Sequence, residues 1–258
     1  MILVDMSQIM MASIMMQMHI SKKSEPDEEM VRHMILNSLR MYRTRFLSEF
    51  GEMVLCYDSR HYWRRDYFPE YKHSRRKNRG KDDKNWDIIF NCLNTIKEEV
   101  KANMPYKSVE VYGAEADDII GTLCSESSDE VMILSGDKDF IQLQRYPNVK
   151  QYSPITKKMI NGINPDDYLM EHVLKGDTSD GVPNVLSPDN TFVDGIRQRP
   201  LSKKKIALMV EGDFPNDEIK RNYQRNKKLI DLDCAPDELR SEILDTYKSA
   251  PVNDRSKI

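Results

Sequence analysis

A chain of 258 residues with 31% charged and 39% hydrophobic residues is long enough for one generous α/β domain, or a domain with a helical appendage. No apolar run approaches the roughly 20 residues that span a bilayer, and the Met-rich stretch through Ile20, interrupted by Asp5 and Gln8, lacks the basic start of a signal peptide. Cys56, Cys92, Cys124 and Cys234 form no C-x-x-C pair and no zinc-type spacing with histidine, so the expectation is a soluble cytoplasmic protein with reduced thiols and net charge −3.

In chain order, the apolar run Ile2–Met6 reads as a strand. A loop carrying acids, Ser24–Asp27, leads into a helix over Glu28–Phe50, where Val31, Met34, Ile35, Leu39 and Tyr42 recur at helical spacing. A strand at Met53–Tyr57 precedes the segment Arg60–Lys84. A helix over Trp86–Asn103 stops before Pro105, a strand follows at Ser108–Tyr112, and a helix opens at Glu115-Ala116-Asp117-Asp118. Strand Glu130–Ser135 runs into Gly136-Asp137-Lys138-Asp139 and a short helix, Phe140–Gln144. Strands Val149–Tyr152 and Lys158–Ile160 end the alternation. From Asn164 the pattern is helical, over Asp166–Lys175, Ser202–Val210, Asn216–Leu232 and Asp237–Tyr247. The aperiodic insert Leu186–Arg199 is expected as an exposed loop. The alternation predicts an α/β core over 1–162 with a mostly parallel sheet, and a helical part over 163–258.

Three of the strand runs end in an aspartate: Asp5, Asp58 and Asp137. A lone aspartate there is usually a turn former or helix N-cap. Independent caps have no reason to recur at three strand ends, whereas the carboxyl edge of an open α/β sheet is where ligands bind. Glu115-Ala116-Asp117-Asp118 and Asp177-Thr178-Ser179-Asp180 are placed to join them, although acids in a first helical turn also complement the helix dipole. So many carboxylates gather only around cations. Oxygen-only donors suit Mg²⁺ or Mn²⁺ rather than zinc. The five histidines receive no role: scattered His residues are more often surface or core groups.

The acidic net charge hides a basic segment. Arg60–Lys84 holds ten basic residues against four acids, interleaved with Tyr62, Trp63, Tyr67, Phe68 and Tyr71. A charge run alone is most often a solvated face. Five aromatics within it favour a surface that binds phosphates and stacks bases, ordered by its substrate.

These residues, in this order, resemble the flap endonuclease or 5′-nuclease family. Asp5, Asp58, Glu115-Ala116-Asp117-Asp118, Asp137-Lys138-Asp139 and Gly176-Asp177-Thr178-Ser179-Asp180 match its acids. Tyr62-Trp63-Arg64-Arg65-Asp66-Tyr67 with Tyr71-Lys72 resembles its arch. The likeness extends over nearly the whole chain, toward the phage-encoded members that act on RNA–DNA hybrids. It implies a PIN-like, mostly parallel sheet flanked by helices, an arch at 60–84, and a helix–turn–helix that grips duplex. It implies two Mg²⁺ positions, with Mn²⁺ able to substitute: Asp5, Asp58, Asp117, Asp118 and Asp137 with Glu115 beside them at the first, and Asp139, Asp177 and Asp180 at the second. Lys72 and Arg64 match basic residues that approach the scissile phosphate. Arg65, Tyr67, Phe68, Tyr71, Arg75, Arg76, Lys77, Arg79, Lys203, Lys204 and Lys205 are the expected nucleic-acid contacts. A K⁺ at the helix–turn–helix is implied as well, but here Gly181-Val182-Pro183-Asn184-Val185 runs into the insert where the family has a glycine-rich hairpin. The implied partners are duplex DNA or RNA–DNA hybrid with a 5′ end or flap, and a single-stranded DNA-binding protein. The implied protein is a monomer away from any membrane, in the host cytoplasm, removing RNA primers in phage DNA replication.

Two rival readings carry less. A nucleic-acid-binding scaffold with a decayed centre would lack carboxylates, and none is missing. A phosphatase using a nucleophilic aspartate would need a second acid two residues after Asp5, where Ser7 stands. Phosphodiester hydrolysis by two ions about 3.5–4 Å apart accounts for the acids directly.

Overall fold

The short runs without polar side chains form the centre of one six-stranded sheet. The protein's structure, a computed structural model, describes residues 1–80 and 84–254, without the side chains of 76–78. Strands β1 (Ile2–Asp5), β2 (Met53–Cys56), β3 (Lys107–Val109), β4 (Val131–Leu134), β5 (Val149–Ser153) and β6 (Lys158–Ile160) lie in the order 3-2-1-4-5-6. All neighbours are parallel except β5 and β6. Every residue of β1, β2 and β4 is buried, as helices covering both faces require.

Successive residues still serve different layers. Ile2, Val4, Met53, Leu55, Met132 and Leu134 face one core, whereas Leu3, Val54, Cys56, Val131 and Ile133 face the other. The first core is filled by α1 (Met6–Ser21), α2 (Glu28–Phe50) and, after the short helices α3 (Trp63–Tyr67) and α4 (His73–Arg79), by α5 (Trp86–Asn103). The second is covered by α6 (Ala116–Glu126) and a 3-10 helix, Lys138–Arg145. The helical remainder comprises α7 (Pro165–Lys175), α8 (Lys203–Val210), α9 (Asp217–Ile230) and α10 (Asp237–Ser249). It does not stand wholly apart from the sheet, because Leu239 and Ile243 of α10 pack into the second core. No helix among the described residues is long and apolar enough to cross a membrane.

The structure adds one helix and corrects two expectations. The Met-rich stretch through Ile20, which shows no helical spacing, forms the 16-residue α1. Its methionines and isoleucines leave no polar stripe to betray a helical period: Met10, Ile14 and Met18 are buried while Met16 and Ile20 are exposed. The insert Leu186–Arg199 is not simply exposed, since Leu186, Ser187 and Thr191 are buried. Asn222 donates to the carbonyls of Val185 (3.0 Å) and Ser187 (3.4 Å) and so anchors its start. Within Arg60–Lys84, two of the five aromatics are not open stacking surfaces. Phe68 and Tyr71 belong to a cluster with Val173, Val182, Leu229 and Ile230.

Candidate active site

Chain reversal in the sheet builds the site. β1 lies between β2 and β4, so the connections leave its carboxyl edge in opposite directions and open a crevice there. Asp5 ends β1 level with Cys56 of β2, which puts Asp58 just beyond the edge beside it. Asp137 follows β4 across the crevice, and Asp117 enters from the first turn of α6. A cleft of about 930 Å³ results, lined by seven aspartates (Asp5, Asp58, Asp117, Asp137, Asp139, Asp177 and Asp180) against the cations Lys72, Arg75, Arg79 and Lys138.

Several of these acids also act as caps, and the two roles do not compete. Asp5 Oδ1 accepts from the Gln8 N–H (3.0 Å) at the start of α1, while its Oδ2 accepts from Ser135 Oγ (3.0 Å). Asp137 Oδ1 accepts from the Asp139 N–H (3.0 Å), and Asp177 Oδ1 from the Ser179 (2.7 Å) and Asp180 (3.2 Å) N–H groups. Asp58 accepts from Ser7 Oγ (2.6 Å) and the Ala116 N–H (2.7 Å). Each cap fixes one oxygen and the direction of the other. Two glutamines to which the sequence assigns no site role hold the loop between: Gln8 accepts from the Gly136 N–H (2.6 Å), and Gln151 donates to the Asp137 carbonyl (2.6 Å).

Crowded acids show in their acidity. Burial, with the charge of Asp58 second, pushes Asp5 up to about 7. Burial and the neighbouring Asp137 raise both Asp117 and Asp139 well above the ordinary carboxylate range. Burial would raise Asp180 too, but Lys72 and Arg75 outweigh it and hold that carboxyl below its usual value. Among the described residues the Asp117 carboxylate makes no hydrogen bond or ion pair. The donor set fits divalent cations: hard oxygens, mutually repelling, with one carboxylate lacking a hydrogen bond or ion pair among the described residues.

Lys72 sits at the rim. Its ammonium donates to Glu115 Oε1 and lies 3.4 Å from Asp180 Oδ2. Burial opposes its charge, but Asp180 and Glu115 keep it protonated. Gly181, with φ +76°, lets the hairpin reach this position: a Cβ there would stand 3.1 Å from the Glu70 carbonyl. Arg75 pairs with Asp180, and Arg79 lies over the Trp86 (5.3 Å) and Phe90 (4.8 Å) rings.

Other expected site residues lie elsewhere. Arg64 is 2% exposed and donates to Glu115 (3.0 Å), Asp118 (2.8 Å) and the Leu229 carbonyl (2.8 Å), so it is not placed to meet a phosphate. Asp118 is fully buried, taken by Arg64, by Trp63 Nε1 (3.3 Å) and by the Glu115 N–H (2.9 Å), which removes it from the open ligands. Glu115 is buried between Arg64, Tyr71 and Lys72 and meets the cleft through Lys72. Phe68 at 4% exposure is a core residue, and the Tyr71 hydroxyl donates to Glu115 (3.0 Å) and Asp180 (2.7 Å); neither is free to touch a strand. Tyr67 is 49% exposed, and Arg65 is exposed against the Tyr62 hydroxyl (3.0 Å). Lys203, Lys204 and Lys205 are exposed at the start of α8. The side chains of Arg76 and Lys77 lie outside the described residues.

One lining residue escaped the sequence reading. His172 projects from α7 into the cleft, with Nδ1 3.5 Å from Asp139 Oδ1 and Nε2 3.9 Å from Asp177 Oδ2. Only its position five residues before Asp177 could have signalled it.

A resolvase-like α/β sheet whose carboxyl edge gathers aspartates beside a fixed lysine defines a class: nucleases that work through carboxylate-held divalent metals. The chain belongs to the 5′-3′ exonuclease family, whose N-terminal resolvase-like domain matches residues 1–172. Residues 164–258 match the family described as T4 RNase H, C terminal. The chain is 34% identical to the ribonuclease H of Enterobacteria phage T4, over 99% of this chain and 88% of that protein. It is 30% identical to a 5′-3′ exonuclease of Buchnera aphidicola subsp. Schizaphis graminum, over 70% of this chain and 58% of that protein. The fold is similar to that of the bacteriophage T5 D15 flap endonuclease, solved as a pseudo-enzyme–product complex with DNA and metal ions. That likeness has a TM-score of 0.66 at 16% identity and covers 96% of this chain and 99% of that one.

Proposed function

We propose that this chain is a structure-specific 5′-to-3′ nuclease acting on RNA–DNA hybrid, duplex DNA and 5′ flaps, with two Mg²⁺ positions that also accept Mn²⁺, and that it removes RNA primers during phage DNA replication in the host cytoplasm. The observation that carries this reading is the convergence of seven aspartates on one cleft beside Lys72. Asp5, Asp58, Asp117 and Asp137 would hold one ion, and Asp139, Asp177 and Asp180 the other. Bound divalent ions supply activation of water and charge stabilisation at the leaving oxygen. The chain's own residues do the rest. Lys72, held by Glu115 and Asp180, presents a fixed positive charge to a phosphate oxygen. Capping by backbone N–H groups keeps the acids in place without reorganisation.

Lys203, Lys204 and Lys205 at the α8 N-terminus, where free N–H groups favour anions, support the phosphate backbone of a duplex. Exposed Tyr67 and Arg65 suit an unpaired 5′ end. A K⁺ at the hairpin is not part of this reading. The Pro183 carbonyl there already accepts from Arg225 Nη2 (3.0 Å) and Asn226 Nδ2 (2.9 Å), which leaves it less free to hold an ion. A monomer, with a single-stranded DNA-binding protein as its partner on exposed strand, completes this reading. The test is cleavage of labelled hybrid, nicked and 5′-flap substrates with and without Mg²⁺. Metal-dependent short products from the 5′ side are expected. Binding without cleavage at any metal concentration would instead favour an inactive scaffold.

A further inference from the structure

His172 changes the chemistry of the second metal position. Asp139, His172 and Asp177 each offer a ligand atom, and these atoms all lie within 4.8 Å of one another. Donors bonded to a single ion at about 2.0–2.2 Å stand at most about 4.4 Å apart, so a cluster of this spread closes around one with small side-chain shifts. A histidine at this place in a helix is more often a satisfied structural group. This one is not satisfied. Its Nδ1 is buried and makes no hydrogen bond among the described residues, although the ring is only 14% exposed. The carboxylate facing Nδ1 is that of Asp139, whose Oδ1 at 3.5 Å stands at an ion-pair distance beyond a good hydrogen bond.

The ring is also held in place. Tyr168, one turn earlier on α7, packs edge-on against it at 5.7 Å, and the Gly176 N–H donates to the His172 carbonyl (2.8 Å) where α7 ends. Gly176 makes that ending possible: with φ +69°, a Cβ would fall 2.4 Å from the Val182 carbonyl oxygen. The imidazole and the Asp177 turn are thereby fixed relative to each other.

We infer that His172 supplies a nitrogen donor to the ion held by Asp139 and Asp177, which tilts this position toward Mn²⁺ and other transition metals relative to Mg²⁺. The inference rests on the proposed metal centre and adds one residue and a selectivity to it. Imidazole nitrogen strengthens binding along the transition-metal series, whereas Mg²⁺ prefers oxygen ligands and retained water.

The experiment is direct metal binding to the intact protein, without substrate. Mn²⁺ is titrated by the electron-spin resonance of the free ion, Mg²⁺ is titrated in competition, and spin-echo spectra of the Mn²⁺-loaded protein are read for nitrogen modulation. Wild type is expected to show imidazole nitrogen at Mn²⁺. In His172→Gln that signal disappears and the Mn²⁺ dissociation constant of one position rises by about tenfold or more, while Mg²⁺ binding shifts less than about twofold. His172→Asn is run in parallel, and thermal unfolding identifies whichever variant keeps the fold. Persistent nitrogen modulation in a folded variant, or equal weakening of both metals, overturns the inference and leaves the carboxylate centre standing. Failure of wild type to bind Mn²⁺ at all overturns the metal centre and this inference together.

Discussion

The backbone N–H of Lys72 donates to the carbonyl of Asp180 at 2.7 Å, from a residue held in the left-handed region at φ +56°. One hydrogen bond thus ties the basic segment to the turn that carries the last acids. A non-glycine residue in that conformation costs of order 1 kcal/mol and persists where its surroundings fix it. Here the reason is plain. The conformation aims the ammonium at Glu115 and Asp180, over the acidic cleft.

Lys72→Ala is therefore expected to lower kcat on a 5′-flap substrate by about 10²-fold, with little change in KM. Single-turnover and steady-state kinetics check this. A rise in KM at constant kcat would make Lys72 a plain binding residue.

Arg64 is expected to behave differently. Arg64→Ala leaves Glu115 and Asp118 buried without their cation, and should destabilise the protein by about 3–5 kcal/mol in urea unfolding. An unchanged unfolding midpoint with lost turnover would restore Arg64 to the phosphate.

Tyr67 and Phe68 separate stacking from packing. Phe68→Ala should cost about 3–5 kcal/mol of stability because its ring lies in a core cluster with Val173 and Leu229. Tyr67→Ala should change stability by less than about 0.5 kcal/mol and weaken binding of single-stranded 5′ ends. Equal losses of stability in the two variants would contradict this assignment.

The acids give the metal-free protein a pH dependence of definite sign. Asp5 titrates near 7 when folded, above its unfolded value, so the folded state holds the extra proton. The stability that this proton contributes is complete below about pH 4 and is lost as pH rises through 7. Thermal unfolding of the chelated protein should fall in midpoint between pH 5 and 8, and added Mg²⁺ should raise it more at pH 8. A metal-independent midpoint across that range would count against the cleft as a cation site.

Three of the acids were legible because they stand at strand ends, and the strands were legible because both their faces are buried. Asp5, Asp58 and Asp137 needed only that pattern. Helix α1 was hidden because methionine on every side gives no contrast for a helical period. The basic segment misled in part because arginines and aromatic rings look alike in sequence whether they bind a strand or each other. Arg64 and Phe68 turned inward, while Tyr67, beside them, turned out. No local signal separates those fates, which depend on Leu229 and Val173 from distant helices. His172 was unreadable for a related reason: a single histidine on a helix acquires meaning only when Asp139 arrives beside it.

The central claim is that the gathered carboxylates hold catalytic metal, and Asp137→Asn tests it most directly. Asparagine keeps the shape and the cap to the Asp139 N–H but removes one charge from the cleft. Single-turnover cleavage of a 5′-flap duplex at saturating Mg²⁺ should fall by about 10²–10³-fold, with substrate binding retained or tighter. Turnover near that of the unaltered protein under those conditions would contradict the account.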